Sequence, residues 1–431
     1  MDACTKDPSH GRTGLVDRQT ENPVKKLKFS LLSFTLLFPL TACAQFLSDQ
    51  TQSGARPDIL VQYHYWWKVP SSCPTANPPG DWSHWVQWWT SDDGCKFRGG
   101  TNWLREVSTT AYPIIGPYEN GTNLEIFRWH IKLAKAAGIT AFMVSPTPGY
   151  HAENVDLVNK LLAMMRIAYE ENFKIGFEMW MPDASQYLAD WYSDAKSNID
   201  TFKASPYASV LYKVDSLVVV WFNLFARFDT DANLVSNLFN QKQAYYWFGG
   251  NQTMDEMNSM RNAITNGSKI TQIADYNQGS PTGCAYYSGD VSDRLNIYGA
   301  NGYLRVAHAF PYMDESGAHI TNPRRCLSNN GAELANYFSE VITGNAAVAI
   351  VESWNDFLER TAIEPGMDIN PWQNTGQEQI YKGDPYRTLK QIAAWKGVEW
   401  QTPFLDCAIV DHLLQKHGVV ECATAPHPPP P

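Results

Sequence analysis

The stretch Ala346-Ala347-Val348-Ala349-Ile350-Val351-Glu352-Ser353-Trp354-Asn355-Asp356-Phe357-Leu358-Glu359-Arg360-Thr361-Ala362-Ile363-Glu364-Pro365 sets the terms on which the rest of the chain is read. Its first half is a short β-branched apolar run, the pattern of a strand buried on both faces of a parallel sheet. Its second half collects Glu352, Asp356, Glu359 and Glu364. Ionised carboxylates are costly to desolvate, so a cluster at the rim of an apolar strand is paired, hydrogen-bonded or kept for chemistry. Asp356 and Glu359 stand three apart. An extended chain would put them on opposite faces, whereas a turn brings both to one cavity, so the chain is expected to curl directly after Asp356. Two carboxyl groups converging on one pocket are the minimal equipment for glycoside hydrolysis, one protonating the leaving oxygen and the other acting as base or nucleophile. The plainer alternative is a solvated acidic loop after a strand.

Upstream of this stretch, strand-like and helix-like segments alternate. The strand candidates are Ile59 to Trp66, Thr140 to Ser145, Lys174 to Trp180, Ser216 to Phe222, Ala244 to Phe248, Lys269 to Ala274, Leu304 to Phe310 and Ala347 to Ser353. Helical patterns are Leu124 to Ala137, Val155 to Glu171, Ala184 to Lys203, Met254 to Ile264, Ala332 to Thr343 and Pro385 to Trp395. In the first of these, Ile126, Phe127, Ile131, Leu133 and Ala134 share one broad face and Gly138 is the stop signal. Repeated β-then-α units imply parallel strands with right-handed crossovers, and eight of them imply a single (β/α)8 TIM barrel whose first and last strands are neighbours. A doubly wound open sheet is the alternative, weakened because no glycine-rich phosphate loop follows the first strand.

The run Ser353 to Pro365 resembles the last-strand motif of glycoside hydrolase families 71 and 99. Trp354-Asn355-Asp356 is similar to the Trp-Asn-Asp-Tyr-Gly-Glu pattern of the α-1,3-glucanases of family 71. Glu359, Thr361 and Ile363-Glu364-Pro365 are similar to the endo-α-mannosidases of family 99, which carry Asn-Glu-Trp-His-Glu-Gly-Thr followed by Ile-Glu. Leu358 departs from the glycine of one and the histidine of the other, and Arg360 departs from the mannosidase glycine. The resemblance implies a glycoside hydrolase with Glu359 as general acid and Asp356 as the partner carboxylate. A glucanase-like chain would invert, Asp356 activating water. A mannosidase-like chain would retain configuration, Asp356 assisting attack by the sugar's own 2-hydroxyl.

A barrel places its chemistry on the loops after the strands. The strand ends are polar and aromatic, so the candidate substrate contacts are Tyr63, His64, Trp66, Glu178, Trp180, Trp221, Trp247, Tyr276, His308, Tyr312, Trp354 and Asn355. For each alone, core packing is the commoner role. Glu178 stands out as a carboxylate near the end of an apolar strand, much as an acidic residue does in the mannosidase family. The connection from Trp67 to Ile114 is too long for an ordinary loop and holds Trp82, Trp85, Trp88, Trp89, Trp103, Cys73 and Cys95. It reads as a disulfide-stapled wall offering stacking surface, or as a small subdomain covering the barrel. A second excursion, Tyr276 to Asn301, is Gly-, Ser- and Asn-rich.

Residues 1–23 are patternless and read as an upstream extension, with Val24 as the expected start. Residues 24–43 combine a basic start, an apolar run from Phe29 to Leu40 and Leu40-Thr41-Ala42-Cys43, a lipoprotein signal that would lipidate Cys43. Cleavage after Ala44 is the rival. Residues 44–57 read as linker, 58–402 as the catalytic domain and 403–431 as a C-terminal tail ending in a proline-rich run. Of eight cysteines, setting aside Cys4 and Cys43 leaves six, an even set that suits disulfides in an exported protein. The sequence-local pairing joins Cys73 to Cys95, Cys284 to Cys326 and Cys407 to Cys422, among fifteen connectivities. No CxxC supports zinc, and His64, His84, His130 and His151 lack ligand spacing, so no cofactor is expected.

The net charge of −10 argues against a nucleic-acid partner. The expectation is an exported, cell-envelope or extracellular monomer acting on an oligo- or polysaccharide, touching membrane only through a lipid anchor. The second class is a surface glycan-binding lipoprotein with the barrel but no turnover.

Overall fold

The computed structural model describes residues 56–64, 67–70, 84–86, 93–109, 111–121, 123–145, 154–180, 188–223, 234–249, 252–280, 283–286, 290–315, 325–369 and 378–424. The segments expected as signal, lipidation site and linker up to residue 55, together with Trp66, Cys73, Trp82, Trp88 and Trp89, lie outside them, as do the side chains of Trp180 and Cys284.

Eight parallel strands close into a barrel. They are β1 Asp58–Tyr63, β2 Ala141–Val144, β3 Lys174–Trp180, β4 Leu217–Asn223, β5 Tyr245–Phe248, β6 Lys269–Asp275, β7 Val306–Ala309 and β8 Val348–Val351. Each lies on a segment that the apolar pattern predicted. The spatial order β3-β2-β1-β8-β7-β6-β5-β4 is closed by β3 against β4. First and last strands pair in register, Asp58 opposite Val348 and Leu60 opposite Ile350. Alternate residues divide the apolar content between two layers. Leu60, Met143, Trp221, Trp247, Ile273, Val306 and Ile350 fill the barrel interior. Their neighbours Ile59, Val61, Phe142, Val144, Val220, Phe222 and Tyr246 pack outward with the helices. Both faces are therefore buried, which is why the strands read as continuous apolar runs.

The outer layer consists of α1 Leu124–Ala136, α2 Asn154–Glu170, α3 Leu188–Ala204, α4 Met254–Ala263, α5 Asp290–Ala300, α6 Ala332–Thr343 and α7 Arg387–Lys396. In α1 the Asn123 side chain caps the amide of Glu125, and the predicted stripe is buried together with Trp129 and His130. The helix ends at Gly138, whose φ of +74° requires a residue without Cβ strain; a Cβ there would meet Lys396 Cγ at 2.7 Å. The excursion after β6 is more regular than its composition suggests. It holds an antiparallel pair, Asn277–Ser280 with Gly283–Tyr286, and then α5. Only Val291, Leu295 and Tyr298 supply large buried side chains in α5, too sparse a stripe to announce a helix. Between β4 and β5 the described residues hold a five-residue π-turn, Val235–Phe239, in the helix position.

The long connection after β1 contains Cys95, which is disulfide-bonded, as is Cys326; Cys407 is joined to Cys422. Of its described tryptophans, Trp67 and Trp85 are core residues and Trp103 is half-buried. Trp67 and Trp85 are both fully buried with ring centroids 4.2 Å apart, and Trp85 Nε1 donates to Tyr118 O at 2.9 Å. The connection then forms Ala111–Pro113, an antiparallel partner of Gly366–Asp368. The segment beyond the barrel also packs back, Asp411 N donating to Ile115 O at 2.8 Å, with Leu414 fully buried. Among the described residues, no helix is long and apolar enough to cross a membrane.

Candidate active site

The β7–β8 ladder extends one residue past β8, Glu352 N donating to Ala309 O at 3.0 Å, and the Glu352–Ser353 peptide is cis. The chain then folds back on itself. Ser353 N donates to Thr361 O and Ile363 N to Ser353 O, at 3.1 and 3.0 Å. Inside this tight loop Asp356 N donates to Ser353 Oγ at 2.8 Å, while Asp356 O accepts from Thr361 N and Ala362 N. The curl expected after Asp356 is present. Its tip is fastened by Glu359 N donating to Asp356 Oδ1 at 3.0 Å, which holds the Glu359 backbone against the aspartate carboxyl.

Arg360 explains one departure from the mannosidase pattern. Its φ of +53° lies in the left-handed region, where glycine is the default and other residues are strained by roughly 1 kcal/mol. The position is compensated by side-chain chemistry: buried Arg360 places Nη2 2.8 Å from Asp368 Oδ1. Asp368 in turn accepts from the amides of Ile380, Tyr381 and Lys382.

The loop is tied to β1 from below. Trp354 N donates to Gln62 O at 2.6 Å. Asn355 Oδ1 accepts from His64 N at 2.8 Å, and its Nδ2 donates to His64 O at 2.6 Å and to Tyr118 OH at 3.1 Å. Tyr118 donates onward to Glu364 Oε2 at 2.6 Å, and Glu364 Oε1 lies 3.2 Å from His130 Nε2, both residues fully buried. Tyr63 OH meets the other His130 nitrogen at 2.9 Å.

These contacts redistribute the residues predicted to touch substrate. Tyr63, Trp354 and Asn355 are fully buried and spent on anchoring the loop; Tyr63 belongs to the outward layer of β1. Tyr276 is buried with its hydroxyl donating to Glu333 Oε2 at 3.1 Å, and Tyr312 OH donates to Ala362 O. Trp221 and Trp247 are packed inside the barrel. Glu178 is fully buried and receives a hydrogen bond from Gln62 Nε2. Asp356, Glu359, His64 and His308 remain around the end of β8; Glu359 is half-buried.

Burial, partly offset by the Glu359 amide and reinforced by the charges of Glu352 and Glu315, pushes the Asp356 carboxyl up to about 7. His64 Nε2 is 3.8 Å from Asp356 Oδ2, within the span of an ion pair. Burial and nearby His84, however, lower His64 to about 3, so the ring is neutral and gives Asp356 no counter-charge. His308 behaves oppositely. Burial works against its charged form, but bonds to Asp275 and Glu352 carry it up to about 10. Its Nδ1 is 2.9 Å from Asp275 Oδ1 and its Nε2 is 2.9 Å from Glu352 Oε2.

Gln62, Tyr118 and Asp275 were not among the site residues predicted from the sequence, and Arg360 was noted there only as a departure from the mannosidase glycine. For Gln62 and Asp275 a signal existed: they share the parity of the interior residues Leu60 and Ile273, whereas Tyr63 and Tyr276 have the opposite parity. Among the described residues, no group of three or more His, Cys, Asp or Glu is arranged to hold a metal ion.

No protein-family model and no curated protein matches the chain in sequence. Among solved structures, the fold is similar to that of a family 99 endo-alpha-mannosidase from Bacteroides thetaiotaomicron. That enzyme in complex with bis-tris-propane superposes with a TM-score of 0.56 at 15% identity, covering 78% of this chain and 95% of that one. A second structure of the enzyme gives 0.55, also at 15% identity, covering 78% and 96%. At this identity the likeness is one of fold, and the fold is that of a (β/α)8 barrel resembling the family 99 enzyme over nearly its whole length.

Proposed function

We propose that this chain is an exported glycoside hydrolase that cuts within an α-linked polysaccharide of the α-1,3-glucan or α-mannan type, using Asp356 and Glu359. The observation that carries this reading is the turn after β8, where Glu359 N is bonded to Asp356 Oδ1 at the C-terminal rim of a closed barrel. A base works best when its pKa lies near the operating pH, and Asp356, raised to about 7, suits removal of a proton from water or from a sugar hydroxyl. Glu359 then protonates the leaving oxygen. Both inversion through water and retention through the 2-hydroxyl are compatible with this assignment. The disulfide-bonded cysteines favour an oxidising compartment, in keeping with export and with anchoring through Cys43.

Purified protein incubated with α-1,3-glucan and with α-mannan tests the reading. Internal cleavage of either, seen as a falling chain length before free monosaccharide, is expected. Retention of glycan without any product identifies the binding-only lipoprotein, and neither binding nor cleavage on a panel of α-glycans overturns both.

A further inference from the structure

Three interior positions on adjacent strands converge beside the proposed carboxylate site. Asp275 on β6 stands in register with His308 on β7, and His308 with Ile350 on β8, two residues before Glu352. Each imidazole nitrogen of His308 is 2.9 Å from a carboxylate oxygen, Nδ1 from Asp275 and Nε2 from Glu352. A neutral ring has one N–H and could donate to only one of these; an imidazolium donates to both. The ring is buried against Trp221, centroids 5.5 Å apart, and Phe310, 5.2 Å apart.

We propose that His308 is a positioning residue for the carboxylate site: clamped as an imidazolium between Asp275 and Glu352, it holds Glu352 at the rim and fixes how much negative charge Asp356 faces. This rests on the reading of Asp356 as a working carboxylate. The groups facing Asp356 are neutral His64 from the end of β1, Glu315 after β7, Glu352 directly after β8 and the backbone amide of Glu359 from its own loop. Those facing His308 are Asp275 and Glu352, with Arg294 of α5 donating to the Asp275 carbonyl. In this set His308 is the buried cation paired with Glu352, and the charge of Glu352 raises the proton affinity of Asp356. Two carboxyl groups at one rim would otherwise compete for a single proton. With Glu352 committed to His308, the exchangeable proton belongs to Asp356.

The test titrates the full chain labelled with side-chain carboxyl-13C aspartate, the Asp356 signal being identified by its absence in Asp356→Asn. Glu352→Gln keeps an oxygen for His308 but removes the charge, and the Asp356 midpoint is expected to fall by about one pH unit. His308→Gln removes the cation and leaves the carboxylate, and the midpoint is expected to rise. Shifts of opposite sign are the signature of charge, because a merely structural loss would move both variants the same way. An unmoved midpoint in Glu352→Gln overturns the proposal by itself, even if His308→Gln fails to fold. So do shifts of equal sign. The titration needs no substrate, so failure to cleave any glycan would count against the hydrolase reading and leave this result to be judged separately.

Discussion

His64 and His308 are the same residue at the same depth, 4% and 5% exposed, at the ends of β1 and β7. One is neutral, held down to about 3, and the other is a cation, carried up to about 10. Burial disfavours charge on both. What separates them is the number of carboxylates within bonding distance. His308 has two at 2.9 Å, whereas His64 has Asp356 at 3.8 Å and its backbone committed to Asn355. Asp356 therefore lies beside the uncharged ring and has a proton affinity far above that of an ordinary aspartate. The contrast teaches that the rim is divided into a saturated ion cluster, which holds shape, and a carboxyl that is hydrogen-bonded by its own loop but faces no counter-charge from the neighbouring ring, and so suits proton transfer.

The division is broken most severely by removing the exchangeable carboxyls. Asp356→Asn and Glu359→Gln preserve shape, and each is expected to lower turnover on natural glycan by at least about a hundredfold, the scale of general acid–base catalysis. An activated leaving group needs little protonation, so it should restore Glu359→Gln much more than Asp356→Asn. Equal restoration, or near-normal rates in either variant on polysaccharide, would reassign both residues to the fabric of the loop.

The two histidines can be set against each other by stability. His308 has a raised folded-state pKa, so its contribution is fully present below the unfolded value of about 6.5 and is lost as pH rises through about 10. His308→Gln should destabilise by on the order of 3 kcal/mol at pH 6, leaving buried Glu352 and half-buried Asp275 without their cation, and the gap to wild type should narrow above pH 9. His64 has a lowered value, so the native state loses stability as pH falls from about 6.5 toward 3. His64→Gln should remove that loss, and its stability relative to wild type should improve on acidification. Denaturant melts across this range that give both variants the same pH slope would erase the distinction.

Most of the fold was legible because each barrel strand is buried on both sides and so announces itself as an apolar run. The carboxylate pair was legible from the abrupt charge after Val351. Phase was the difficulty at the rim. Tyr63, Tyr276 and Trp354 were attractive as aromatic residues at strand ends, yet the first two point away from the interior, and Trp354 is fully buried with its ring tilted against His130. Counting in twos from Leu60 and Ile273 selects Gln62 and Asp275. Arg360 was opaque for another reason. A left-handed arginine violates the local rule that reserves the position for glycine, and the compensating Asp368 is supplied by a short strand that pairs with the loop after β1. α5 was hidden by a sparse stripe, and nothing in the sequence states which buried histidine is charged.

The smallest effect expected is also the least intuitive: replacing a working carboxylate should make the protein more stable. Asp356 titrates near 3.8 when unfolded and at about 7 when folded. Between these values the native state holds the extra proton, so its stability falls as pH rises from about 4 to 7 and stays low above that. Asparagine has the same shape, can still accept the Glu359 amide and never ionises. Asp356→Asn should therefore match wild type near pH 4 and exceed it at pH 8, by about 2 kcal/mol once the neighbouring carboxylates relax, which is part of the full pKa difference. Thermal melts at the two pH values read this directly. A variant that is equally stable at pH 4 but no better at pH 8 would mean that Asp356 ionises without penalty, and that the rim is not divided in the way the two histidines suggest.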